Sequence, residues 1–298
     1  MSTAIGEEKG DTEEDRYKEN RYTSDSSDNR EDNHIGADER YQNHIESVRR
    51  EWDAHLSRYV SPVDAVARWG GVEELRKVVL MVKRYLSLNE SSAGRLLDAG
   101  CGAGAFIYEL KKISPRLQYF GCDISREMVR KASLLFSGVN SGFNQHSEAS
   151  KKSSVPAFCA SDIGHLPYRD LAFDYLVCYS VLHYLPSMEY LELTVKEFSR
   201  ITKPGGRIVL GDVLSADKMW RCDYFIPEKR KKLEEEGYTY DSSTPVFCPE
   251  KWLWIDEKKI VELLRKYHLK PRVVEQEENC QWGSPCDGDR YDIVAVKI

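Results

Sequence analysis

The chain has 298 residues, 41% hydrophobic and 31% charged, which is enough apolar material for one large core plus additions, with no run near bilayer-spanning length. Its net charge of −6 is uneven: residues 1–40 hold 13 Asp/Glu and 6 Lys/Arg, a net of −7, leaving residues 41–298 at about +1. A near-neutral body without a dense Lys/Arg stripe disfavours long nucleic acid as a partner, and an acidic start without an apolar h-region argues against secretory or mitochondrial targeting. Eight cysteines contain no C-x-x-C; Cys280 and Cys286 are the closest pair, so small apolar filling outweighs a metal or disulfide reading. A reducing, cytoplasmic setting is expected. The single basic run, Lys229–Lys232, leads straight into Glu234–Glu236 and reads as a solvated helix surface.

Residues 1–38 are Asp, Glu, Ser, Asn and Arg with almost nothing apolar, an expected disordered acidic tail that could dock a protein partner. From there to 298 a single domain is expected. Tyr41, Ile45, Val48, Trp52, Leu56 and Tyr59 recur every three or four residues, the stripe of one amphipathic helix, and a second helix is predicted over 72–86. Strands are then predicted at 95–99, 117–122, 156–160, 174–179 and 207–212, with helices at 105–113, 125–136 and 187–201 between them. Such alternation predicts a mostly parallel sheet covered by helices on both faces. A polar loop is expected over 138–153, and a helix over 256–267 capped by Asp256. Strands at 272–275 and 291–297 close the pattern. Residues 213–254 fit no core element and carry eight aromatics, among them Trp220, Tyr224, Trp252 and Trp254.

The chemistry is densest at Leu96–Gly104. The first strand ends at Asp98 and breaks into Gly100, Gly102 and Gly104 before a helix, a turn that lets a ligand approach bare backbone. About 20 residues on, the second strand ends in Cys122-Asp123, where a nucleoside-binding α/β unit holds ribose hydroxyls. The pairing predicts an adenosine-containing cofactor. The spacing is not the dinucleotide G-x-G-x-x-G, and Asp98 would repel a pyrophosphate but suits an ammonium. No Gly-Lys-Ser/Thr follows, which removes the phosphate-loop reading.

At this point the chain resembles the class I S-adenosylmethionine-dependent methyltransferases, in the small-molecule and peptide branch with a type 11-like domain. Five motifs carry the resemblance in order over about 115 residues: Asp98–Gly104, Cys122–Ser125, Ala160–Ile163, Phe173–Cys178 and Thr202–Gly206, the last as the turn before strand five. The resemblance implies a doubly wound seven-stranded sheet in the order 3-2-1-4-5-7-6, N-terminal helices over 39–90 acting as a lid, and a substrate-cap insertion at 213–254. It implies S-adenosylmethionine as cofactor, with Gly100, Cys101, Gly102 and Gly104 around the methionyl part and Asp98 at the ammonium. Asp123 would take the ribose hydroxyls, Ile124 would lie on the adenine face, and Asp162 with Ile163 would meet the adenine edge. Tyr179, closing strand four, would border the cofactor, and Trp52 or Tyr59 would face its cavity.

Methyl transfer requires alignment, exclusion of water and, for a protonated acceptor, a base. His183, just past strand four, is the candidate catalytic base, with packing as its competing role; His165 reads as structural. Metal assistance would need acids at the ends of strands four and five; only Asp212 is there, so no metal is expected. The leading reading is methylation of nitrogen or oxygen in a small molecule or peptide. The alternatives are a tRNA or protein methyltransferase, and a non-catalytic cofactor-binding subunit that supports an active partner.

Overall fold

The structure is a computed structural model, and it describes residues 37–56, 71–137, 154–219, 251–276 and 290–298. The acidic tail, Tyr59, the 138–153 loop, the basic run, Cys280, Cys286 and most of the expected substrate cap lie outside those residues. The chain divides into units at Met1–Arg40 and Tyr41–Ile298; of the first, the opening turn of helix α1 is described.

The described elements are α1 (Ala37–Leu56), α2 (Gly71–Tyr85), β1 (Gly94–Ala99), α3 (Ala105–Ile113), β2 (Leu117–Asp123), α4 (Arg126–Ser137), β3 (Ala157–Ala160), β4 (Phe173–Tyr179), α5 (Met188–Ile201), β5 (Thr202–Leu214), α6 (Glu257–Lys266), β6 (Leu269–Glu275) and β7 (Arg290–Lys297). Single 3₁₀ turns lie at Leu182–Tyr184 and Ala216–Lys218. The sheet runs β3-β2-β1-β4-β5-β7-β6, as the resemblance implies. Six strands run in one direction, and β7 inserts antiparallel between β5 and β6. The chain order reverses between β1 and β4, where open α/β sheets bind ligands.

Central strands are buried on both faces, so they read as continuous apolar runs, Leu96-Leu97 in β1 and Leu176-Val177-Cys178 in β4. One core layer packs α5 and α6 against the sheet through Leu191, Val195, Phe198, Ile260 and Leu264. The other packs α2 and α3 through Val78, Val82, Phe106, Ile107 and Leu110. Helix ends carry local signals. Ser187 accepts from Tyr190 N at the start of α5, Asp256 accepts from Lys259 N at the start of α6, and α3 closes with Lys111 and Lys112.

One expectation is corrected. Thr202–Gly206, anticipated as a turn before strand five, is already strand: Thr202 pairs with Phe173, and the register shift before Tyr175 absorbs Gly205 at φ 78°. A bulge replaces the turn because Gly205 supplies the left-handed backbone without leaving the ladder.

Candidate cofactor and acceptor site

The loop after β1 is tied back to β2. Gly100 N and Cys101 N both donate to Cys122 O, at 2.8 and 2.9 Å. Gly100, Gly102 and Gly104 sit at φ 85°, 51° and 82°, where glycine is at ease. Sterics reinforce the choice, since a Cβ on Gly100 would stand 2.3 Å from Val181 Cγ2. Cys101 contributes its backbone; its thiol is buried, and desolvation holds it protonated.

Asp123 closes β2 and is clasped by two amides, Gly102 N to Oδ2 at 2.8 Å and Ser125 N to Oδ1 at 2.9 Å. Its main-chain oxygen accepts from Ser161 N at 2.9 Å. Each carboxylate oxygen keeps a lone pair for a hydroxyl donor, the arrangement a ribose needs. Burial pushes this carboxyl up to about 6, against the lowering effect of those amides. Ile124 beside it is half-buried.

Asp98, one residue before the end of β1, is 4% exposed. Its Oδ2 has no hydrogen-bond partner among the described residues. Burial, and next the Asp123 charge, push its carboxyl up to about 8. A buried carboxylate with an open lone pair beside a glycine cradle fits a ligand ammonium, which would restore the ionised form.

Asp162 follows β3. Its Oδ1 accepts from Gly164 N at 2.9 Å, making the turn cap that competes with an adenine role, and its Oδ2 accepts the Tyr190 hydroxyl of α5. Nothing in the sequence marks Tyr190, which reads as one more apolar helix position. Ile163 is buried in the α5-side core.

At the end of β4, the Tyr179 ring covers Gly211 of β5, where a Cβ would lie 2.1 Å away, and it packs against the core cluster that includes Cys101. Ser180 and Asp212, at the ends of neighbouring strands, both adopt positive φ, 59° and 61°. Ser180 Oγ donates to Asp212 Oδ2 at 2.5 Å, and Asp212 pairs with buried Arg290 of β7. The β5–β7 register shift at this point re-aims Asp212 along the sheet edge. Asp292 accepts from Asp212 N at 2.9 Å and Gln276 Nε2 at 3.0 Å, and burial pushes its carboxyl up to about 6. Non-glycine residues in this backbone region cost energy and gather at functional edges.

His183 is 1% exposed. Its ring centre lies 4.1 Å from that of Tyr184 and 5.1 Å from that of Trp252, and its carbonyl accepts from Leu253 N at 2.9 Å. Trp52 of α1 meets Tyr184 edge-on at 5.7 Å. His165 is exposed, with Nδ1 at 3.5 Å from Asp162. Among the described residues no group of His, Cys, Asp and Glu could hold a metal.

Residues 97–210 match the family described as methyltransferase domain, spanning the second half of β1 through most of β5 and including Asp98, the glycine loop, Asp123 and Asp162. This is a class I S-adenosylmethionine-dependent methyltransferase domain. The chain is 28% identical over 119 residues to the Arabidopsis thaliana tRNA (carboxymethyluridine(34)-5-O)-methyltransferase, covering 40% of this chain and 24% of that protein. It is also 28% identical over 120 residues to the 27-O-demethylrifamycin SV methyltransferase of Amycolatopsis mediterranei, covering 40% and 39%. It therefore spans less than half the length of these curated relatives. In fold it is similar to a SAM-dependent methyltransferase from Methanosarcina mazei (TM-score 0.51, 24% identity, 73% of this chain and 97% of that one). A Haloferax volcanii methyltransferase solved with the Trm112 methyltransferase activator is similar too (TM-score 0.50, 14% identity, 85% and 96%).

Proposed function

We propose that the whole protein transfers a methyl group to nitrogen or oxygen of a small molecule or short peptide. The observation that carries the cofactor side is the open lone pair of buried Asp98 beside the glycine loop, opposite the amide-clasped Asp123. When bound, S-adenosylmethionine supplies an electrophilic methyl on a sulfonium. The chain's own residues then have separate tasks. Asp98 holds the ammonium, and Asp123 accepts the ribose hydroxyls. Asp162, steadied by Tyr190, together with Ile163 and Ile124, bounds the adenine. Gly100, Cys101, Gly102 and Gly104 offer backbone to the methionyl part.

On the acceptor side, His183 is a packing residue in this reading, because its ring is enclosed by Tyr184 and Trp252. Those aromatics give the acceptor an apolar wall and exclude water from the transfer. Half-buried Tyr179 and Ser180 close β4 on the other flank, where Tyr179 borders the cofactor. Helix α1 covers the site as a lid.

A second reading, methylation of a tRNA, draws on the likeness to the Arabidopsis enzyme, which equals in identity the likeness to the rifamycin enzyme. The near-neutral charge of 41–298 favours the small acceptor. One assay separates them: release of S-adenosylhomocysteine across metabolites, peptides and tRNA. Turnover on tRNA alone would overturn the small-acceptor reading. Cofactor binding without turnover on any of them, alone or with copurified partners, would favour a non-catalytic subunit docked through its acidic tail.

A further inference from the structure

Helix α1 touches residues next to Asp162, the glycine loop and the Asp123–Ser125 turn. Tyr41 lies edge-on to Tyr190, ring centres 5.7 Å apart, and Tyr190 holds Asp162. His44 Nε2 sits 2.9 Å from Tyr184 O, beyond β4. At the other end, Leu56 and Trp52 pack with Ala103 of the glycine loop and Met128 of α4, while Lys131 Nζ donates to Leu56 O at 3.1 Å. The helix thus bridges both walls of the cleft.

Its polar link to the ribose turn runs through one side chain. Ser125 is fully buried and has three jobs: its N donates to Asp123 Oδ1, its Oγ accepts from Met128 N at 3.0 Å to cap α4, and its hydroxyl proton goes to Asp53 Oδ1. Arg49 NH1 holds the other oxygen of Asp53 at 2.9 Å. A capping serine uses only its oxygen as acceptor; the proton still needs a partner, and burial leaves water no access. Asp53 is that partner, 72 residues away in sequence.

We propose that Asp53 is a positioning residue for the cofactor: by taking the Ser125 hydroxyl proton it fixes the Asp123–Ser125 turn so that the outward lone pairs of Asp123 face the ribose hydroxyls. The inference rests on the cofactor reading given above. Without Asp53 the buried hydroxyl must turn to seek another acceptor, and the turn relaxes with it. The negative charge of Asp53 also lies close enough to strengthen the proton affinity of Asp123, making it a better acceptor for a ribose hydroxyl.

The test is calorimetry of the full chain with S-adenosylhomocysteine, each variant first shown to melt cooperatively. Asp53→Ala should weaken binding roughly five- to tenfold, the worth of about one buried hydrogen bond. Asp53→Asn keeps an oxygen that can accept the Ser125 proton, and should stay within about threefold of the parent protein. Because Asp53 acts through Ser125, the Asp53→Ala/Ser125→Ala double variant should bind about as well as Ser125→Ala alone, whereas independent contributions would multiply. Multiplying losses, an Asn variant as weak as the Ala variant, or parental affinity in Asp53→Ala would each overturn the proposal. Failure of the parent chain to bind S-adenosylhomocysteine would sink the cofactor reading itself, which is a different result from indifference to Asp53.

Discussion

At the residue scale, Asp98 and Asp123, the two carboxylates proposed to hold the cofactor, set a pH dependence whose sign follows from their burial. With no ligand, Asp98 is raised to about 8 and Asp123 to about 6, so below those values the folded protein binds protons that the unfolded chain, at ordinary carboxylate values, has released. Their contribution to stability is fully present below about pH 4 and is lost as pH rises through 6 and then 8. Cofactor binding runs the other way. The ligand ammonium demands an ionised Asp98, so binding at pH 7 should release a proton, and affinity should climb up to about tenfold per unit as pH rises toward 8. Calorimetry in two buffers of different ionisation enthalpy reads that proton directly. Equal heats in both buffers would refute it, and Asp98→Asn should abolish the buffer dependence. Asp123→Ala, which removes the acceptor of the ribose hydroxyls, should raise the dissociation constant roughly tenfold or more. A folded variant with parental affinity would place the ribose elsewhere.

At the element scale, α1 is the informative case. Its apolar stripe was plain in the sequence, and an isolated helix of this length is marginal in water, so it must pack. Periodicity does not say where. The structure answers with Tyr41 on Tyr190 and with Leu56 on Ala103 and Met128. Deleting residues 1–36 should therefore leave cofactor affinity unchanged, whereas deleting 1–60 should weaken it. S-adenosylhomocysteine should slow amide exchange through 41–56. Unchanged exchange there, with normal binding by the longer deletion, would reduce α1 to a stabilising helix. Other elements differ in how far local signals reached them. The Asp256 cap of α6 and the Gly104 entry to α3 were readable, because caps depend on neighbours in sequence. The bulge at Gly205 was not, because a turn and a bulge use the same residue, and only pairing with β4 decides between them.

At the scale of the whole molecule, the sheet edge holds a charge that local rules do not provide for. Asp212, Arg290 and Asp292 come from two strands and are all buried, the arginine pairing with Asp212. Removing one partner of a buried pair costs far more than replacing both, so Arg290→Met should destabilise the protein by about 3–5 kcal/mol. The Asp212→Asn/Arg290→Met double variant should recover much of that loss. Denaturant melts of the three variants check it, and a double variant as unstable as Arg290→Met would show that the pair itself holds the edge together.

The sequence by itself determined the strand–helix alternation, the sheet order through its resemblance, and the glycine turn after β1 with acids at the ends of β1 and β2. These are encoded within short windows, where glycine spacing, strand-end acids and apolar runs act on the nearest backbone. Only the tertiary structure decided which way Tyr179 faces, that His183 is walled in by Tyr184 and Trp252, and that Asp53, Ser125 and Asp123 form one chain of contacts. Each of those depends on residues tens of positions apart meeting across the C-terminal edge of the sheet. There the deciding energy is burial of a polar group against its partner, and no sequence window contains both.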